Sequence, residues 1–406
     1  MGFQQMLFAQ ERCGSTIYQK KNAGIQREAE PLMQIESGKA PLNGIVVQEE
    51  NTPLPTRKII IPVVVHILYR SDNENISTDQ VLSQLESMNA DFNQTNADLK
   101  TVPAVFANRV GNAQIRFELA KVDPDGRATN GIVRKKTNVQ LWTDNDKIKY
   151  SGHDGSTGWD SRHYLNIWVG SLVNGLLGYA SFPGGDVEKD GIVIRYDIFG
   201  TRGRLAAHYN KGRTLTHEVG HWLNLKHIWG DLSCGDDGIE DTPRQRSYNQ
   251  GCPSFPRVNA GCDNGPSGDM FMNFMDFTDD ACMNMFTTGQ TELMRAEFSI
   301  NGRRMSLLDS KGLGEPWNMS AASVENLTES ANIKVYPNPA ISSIQISSSL
   351  AFPLTGKRYT IINPSGKVLM TGQMLQQNQI INIQHLSSGL YFICIDGQVQ
   401  KWIKSK

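Results

Sequence analysis

A chain of 406 residues has the length of two or three domains at about 100 to 200 residues each, which excludes a single small module. Lys and Arg number 40 against 41 Asp and Glu, a formal net charge of -1 that gives no global electrostatic reason to bind nucleic acid or an anionic membrane. Hydrophobic residues make up 39% of the chain, and no stretch nears the roughly 20 apolar residues of a membrane span.

In chain order, residues 1–57 are polar and end in two helix-breaking prolines, Pro53 and Pro55, as expected of an N-terminal extension with little to pack. No basic n-region precedes the short apolar run Met6 to Ala9, so the start does not read as a complete secretory leader. Ile59 to Tyr69 is a β-branched run typical of a strand buried on both faces, and the folded body begins there. Ser77 and Thr78 offer N-cap chemistry to a helix carrying Val81, Leu82, Leu85, Met88 and Phe92 at helical spacing. Strands are expected at Gln114 to Val122, Tyr164 to Val169 and Ile192 to Tyr196, which with the helix predicts an α/β domain. Between Gly230 and Asp269 the hydrophobic period disappears, so cross-links or ions must hold this stretch. Four of the six cysteines, Cys234, Cys252, Cys262 and Cys282, fall in or beside it and suggest staples or a metal. The domain expectation is therefore an extension at 1–57, an α/β domain at 58–317, a small polar linker at 318–332 and a small all-β sandwich at 333–406.

The chemistry concentrates in His217-Glu218-Val219-Gly220-His221, an HExxH pattern. On a helix, positions i and i+4 share a face, so His217 and His221 present two imidazoles to one Zn²⁺ with Glu218 beside them as general base. A catalytic zinc needs a third protein ligand, and His227 is the candidate. Continued helix would carry His227 about 9 Å along the axis from His221, too far for a shared ion, so the chain must reverse between them. Asn224 suits that reversal because Asn tolerates positive φ. The other histidines, His66, His153, His163, His208 and His385, lack this spacing and read as structural or exposed.

The long motif, the loop Cys234 to Pro243 and the segment Asn273 to Cys282 together resemble the metzincin metallopeptidases and, within them, the pappalysin family, over about residues 58–315. The resemblance implies a metzincin-like catalytic domain with a twisted mixed sheet, backing and active-site helices and an irregular C-terminal subdomain. It implies Met275 as the hydrophobic floor under the zinc, and disulfides pairing Cys234 with Cys262 and Cys252 with Cys282. Asp236, Asp237, Glu240, Asp241 and Thr242 supply hard oxygens suited to Ca²⁺, with a solvated acidic loop as the alternative; the resemblance favours Asp237 and Thr242 as ligands. Asp280 resembles the base of the S1′ pocket, implying cleavage before Arg or Lys, against a structural Asp279 or Asp280 that hydrogen-bonds the turn as the alternative. Cys13, in Arg12-Cys13-Gly14, resembles a cysteine switch whose thiolate takes the fourth zinc position in a latent form, against a spare thiol as the alternative. The sequence departs from the family at Asn224, usually Gly, and at Phe277, where several metzincins carry a tyrosine hydroxyl near the zinc.

Val335 to Ala340 with Leu386 to Tyr391 resembles the C-terminal sorting domain of type IX secretion substrates. This implies transit through the periplasm to the surface or beyond, secretion machinery as a partner, and the oxidising compartment that disulfides need. The sequence reading is a secreted, monomeric zinc endopeptidase acting on polypeptide substrates, made as a latent zymogen, with Zn²⁺ and Ca²⁺ as cofactors. A second reading is a surface binding protein that keeps the fold and zinc but turns over weakly, which Phe277 permits and Glu218 argues against.

Overall fold

The computed structural model describes residues 13–23, 58–173, 175–316, 333–348, 353–363, 368–395 and 398–405. The expected linker at 318–332 and most of the extension at 1–57 lie outside these residues. The chain forms two compact units that divide between Glu315 and Pro316.

The first unit holds a six-stranded sheet of β1 (Ile59–Tyr69), β2 (Ile115–Leu119), β3 (Ile132–Lys136), β4 (Leu165–Gly170), β5 (Gly178–Ala180) and β6 (Ile192–Arg195). The order is β2-β1-β4-β6-β5, with β3 also paired to β1. All pairings are parallel except that of β5, an antiparallel edge strand beside β6. Both faces of β1 are covered, which is why its sequence is a continuous β-branched run and not an alternating one. The helix α2 (Thr78–Phe92) begins at Ser77, whose hydroxyl accepts the Gln80 amide at 3.1 Å. It lays Val81, Leu85, Met88 and Phe92 on one face of the sheet, beside α3 (Arg213–Trp222) with Leu215, Val219 and Trp222. Phe92 is fully buried against Phe117 and Phe286, so truncating it to Ala costs about 3 to 5 kcal/mol. On the opposite face, Leu68, Trp168, Val193 and Tyr179 pack beneath Trp142 and Ile148. A fourth helix, α4 (Thr288–Ala296), opens with a Thr287/Gln290 capping box.

Within the extension, residues 13–18 depart from the expectation of a segment with little to pack. The helix α1 (Ser15–Ala23) follows a bridge between Cys13 and Gly178, and Cys13, Ser15 and Tyr18 are all buried against the first unit. The region from Gly230 to Asp269 carries only a single 3₁₀ turn and is held by two disulfides, Cys234–Cys262 and Cys252–Cys282.

The second unit has two antiparallel sheets. One orders β10 (Val368–Gln373), β9 (Arg358–Ile362), β12 (Gly389–Ile395) and β13 (Gln398–Lys404); the other orders β11 (Gln379–Asn382), β8 (Ser343–Ser348) and β7 (Ile333–Tyr336). Alternating residues such as Ile344, Ile346, Ile361 and Ile393 face inward, with Trp402 stacked on Tyr391.

Candidate active site

The helix α3 delivers His217, Glu218 and His221 from one face and then stops. The amide of Leu225 donates to the carbonyl of Gly220 and that of Asn224 to His221, each at 2.9 Å, with Asn224 at φ 76°; these are the two bonds of a Schellman cap. The reversal expected at Asn224 is therefore present, and it returns His227 to the helix face.

Each imidazole is oriented from behind. His217 Nδ1–H donates to the Phe274 carbonyl at 2.7 Å, His221 Nδ1–H to the Leu225 carbonyl at 2.8 Å, and His227 Nδ1–H to the Asp231 carboxylate at 2.7 Å. With the protons on Nδ1, the Nε2 lone pairs face one another: His221 Nε2 is 3.1 Å from both His217 Nε2 and His227 Nε2. Cys13 Sγ lies 3.4 Å from His221 Nε2, and one donor atom from each of the four residues falls within a 4.8 Å cluster. Converging lone pairs repel unless a cation sits among them. Four-coordinate zinc with bonds of about 2.0 to 2.1 Å places neighbouring nitrogens about 3.3 Å apart, so this soft N₃S set fits zinc. Burial is the largest influence on two of these groups, holding His221 down to about 3 and the Cys13 thiol well above its ordinary value.

Glu218 is fully buried, and desolvation pushes its carboxyl up to about 7. Its Oε2 accepts from Ser15 Oγ at 2.6 Å, and Ser15 Oγ in turn accepts the Ala180 amide at 2.8 Å. Gly14 donates its amide to Gly178 O at 2.9 Å, so Cys13 and Gly14 are laid on the outer edge of β5. Thr16 Oγ1 donates to Asp231 at 3.0 Å.

Met275 is fully buried, and a Cβ added to Gly220 would meet its sulfur at 2.4 Å. This close approach explains the glycine in the middle of the motif. Phe277 brings its ring to within 5.6 Å of the His217 ring and 4.8 Å of the His227 ring, and the Tyr248 ring packs on it at 5.6 Å. Asp280 is buried, and its Oδ2 accepts the amides of Lys211 at 2.8 Å and Arg213 at 3.2 Å, capping the start of α3. It also lines a small cavity shared with Cys13, His217, Glu218 and Phe277.

In the acidic loop, Thr242 Oγ1 is 2.7 Å from both Asp237 Oδ1 and Ile239 O, three oxygens with one hydroxyl proton among them. Asp237 is buried with no hydrogen-bond partner on Oδ2 among the described residues, and burial raises its carboxyl to about 6. These oxygens fit a hard cation. Asp241 does not join them: its carboxylate accepts from Thr287 Oγ1 at 2.6 Å and the Gly289 amide at 2.8 Å, bracing the first turn of α4. Asp236 and Glu240 are exposed. Sequence reasoning missed Asp231 and Ser15. A carboxylate four residues after a ligand was a readable signal for Asp231; Ser15, 203 residues from Glu218, had none.

Residues 151–299 match the family described as pregnancy-associated plasma protein-A, and residues 334–405 match the secretion system C-terminal sorting domain. An extracellular metalloprotease of Verticillium alfalfae is 33% identical over 254 residues, covering 60% of this chain and 78% of that protein. Another from Arthroderma benhamiae is 32% identical over 245 residues, covering 58% and 76%. Among solved structures, the chain is similar to a promirolysin mutant of Tannerella forsythia, at 49% identity and a TM-score of 0.62 over 63% of this chain and 86% of that one. It is similar also to mature mirolysin of that organism in complex with a cleaved peptide, at 49% identity and a TM-score of 0.61 over 63% and 97%. With its metal-fitting histidines and its C-terminal sorting domain, the chain belongs to the pappalysin family of secreted or cell-surface zinc metalloendopeptidases.

Proposed function

We propose that the chain is a zymogen that, once residues 1–57 are removed, cleaves polypeptides before Arg or Lys. The observation that carries this reading is the convergence of three oriented Nε2 atoms beside a buried carboxylate, with a thiol at the fourth corner. His217, His221 and His227 would hold zinc, which supplies Lewis acidity to the scissile carbonyl and to water. Glu218, at Oε2, takes the proton of the attacking water and passes it to the leaving amine. Asp231 and the carbonyls of Phe274 and Leu225 keep the imidazoles aimed. Met275 packs under the site and presses on Gly220. Substrate main chain would pair with the free edge of β5, where Gly178 O and the Ala180 amide now engage residues 14 and 15.

Asp280 supplies a buried negative charge to the cavity beside Glu218, which favours a guanidinium or ammonium there. Asp237 and Thr242 would bind Ca²⁺ and brace the loop. Latency would rest on Cys13 at the fourth zinc position and on Ser15, whose hydroxyl ties one oxygen of the general base to the prosegment. The test is cleavage of a peptide with one internal Arg by the processed chain and by its Glu218→Ala variant. The reading expects loss of at least a hundredfold in the variant; equal cleavage rejects it.

A further inference from the structure

Tyr18 is not one of the four residues of the zinc-fitting cluster, yet it is only 5% exposed and belongs to a hydrophobic cluster whose other buried members all come from the body of the domain. Its ring lies 4.9 Å from that of Tyr179. Its hydroxyl donates to Asp146 Oδ2 at 2.9 Å and accepts from Lys149 Nζ at 3.3 Å. Lys149 is fully buried. Its ammonium pairs with Asp146 Oδ1 at 2.9 Å, donates to the Lys189 carbonyl at 2.7 Å, and sits 5.2 Å from the Tyr179 ring and 5.4 Å from the Trp168 ring. Asp146 sits at φ 61°, a left-handed conformation that Asp adopts more readily than most non-glycine residues. Burying an ion pair is costly, and here it presents a donor and an acceptor to a single aromatic hydroxyl.

We infer that Asp146, Lys149 and Tyr179 form a phenol-binding socket, filled by Tyr18 in the zymogen and used by a tyrosine side chain of the polypeptide substrate in the mature enzyme. This rests on the peptidase reading above. Tyr179 is the central residue of β5, the edge strand on which Cys13 and Gly14 lie. A side chain at the position of Gly14 would point at Leu176 Cδ1, 3.0 Å away, and Tyr179 Cβ, 3.3 Å away. A substrate main chain paired to the same edge therefore turns alternate side chains toward the socket wall while their neighbours face the metal. The socket recognises a hydroxyl as well as a ring, because phenylalanine would leave both the carboxylate and the ammonium short of a partner.

The test uses the full chain processed by limited proteolysis, with peptides that share one cleaved bond and carry Tyr, Phe or Leu at each flanking position in turn. At one position Tyr should lower KM about tenfold relative to Phe with kcat little changed. Asp146→Asn and Lys149→Met should each erase that difference while Leu peptides are still cleaved. Binding of the same peptides to the processed Glu218→Ala chain, read by fluorescence polarisation, separates this socket from the chemistry. Peptides that are cleaved with no Tyr preference at any position overturn the socket. Tyr-selective binding without cleavage by the Glu218 enzyme upholds the socket and removes the peptidase reading.

Discussion

Replacing Ser15 by Ala removes one hydroxyl from a segment that, on this account, is shed on activation, so any effect on catalysis must come through latency. Ser15 is fully buried and bridges two groups: it donates to Glu218 Oε2 at 2.6 Å and accepts the Ala180 amide at 2.8 Å. A hydrogen bond to a charged group contributes about 1.5 to 3 kcal/mol, and the orphaned amide adds to the loss. Taking about 2 kcal/mol for the closed state, the ratio of closed to open zymogen falls about thirtyfold. The assay is the residual hydrolysis of a quenched peptide by the unprocessed chain, for wild type, Ser15→Ala, Cys13→Ala and the double variant. Ser15→Ala should leak about thirtyfold more than wild type, and the double variant more than either single one. After processing, Ser15→Ala and wild type should have the same kcat/KM, because the altered residue is gone. The reasoning is refuted if Ser15→Ala leaks no more than wild type while Cys13→Ala leaks strongly, for then the thiol alone holds the segment.

His66 donates from Nε2 to Asn166 Oδ1 at 3.1 Å and accepts from Ser156 Oγ at 3.0 Å, a neutral tautomer fully paired, and burial lowers its value from 6.5 to about 4. The folded state thus refuses a proton that the unfolded chain takes below about pH 6.5. The His66 contribution to stability is complete above that pH and falls by on the order of 3 kcal/mol as pH drops toward 4; the raised carboxyls of Glu218 and Asp237 act in the opposite sense, so the check is the difference between wild type and His66→Gln across a urea-denaturation pH series. Gly220→Ala drives a methyl into Met275 Sδ and should cost about 1 to 3 kcal/mol, seen as a lower Tm and weaker zinc retention against a chelator. Opening the Cys252–Cys282 bridge by Cys→Ser at both positions releases a loop with a separation of 30 residues, worth about 3 to 4 kcal/mol in the chain-entropy model, and should shift the denaturation midpoint accordingly.

The convergence of His217, His221 and His227 was legible because each step of its geometry leaves a mark in local sequence: i and i+4 on one helical face, then a residue able to take φ 76°. The buried strand Ile59–Tyr69 was legible from its continuous β-branched run and the backing helix at Thr78–Phe92 from its helical spacing. The strand Ile132–Lys136 was not, since its exposed Arg134 and charged Lys135 and Lys136 carry no hydrophobic alternation; its pairing with β1 supplies the order that its own residues do not. The acidic loop misled in one respect. Asp241 has the composition of a cation ligand but braces α4 instead, a distinction set by which neighbour folds against it. Asp280 has the structural role its alternative reading offered, but it caps the start of α3 at Lys211 and Arg213. Ser15 and Tyr18 act across more than a hundred residues of sequence, and only the folded chain brings their partners within reach.

X-ray absorption at the zinc edge of the full, unprocessed chain addresses the metal centre without relying on turnover. One zinc per chain with three nitrogens at about 2.0 to 2.1 Å and one sulfur at about 2.3 Å is the predicted shell, the sulfur giving way to oxygen after processing or in Cys13→Ala. A shell that keeps three nitrogens when His227 is replaced by Ala, or a chain that binds no zinc, would contradict it.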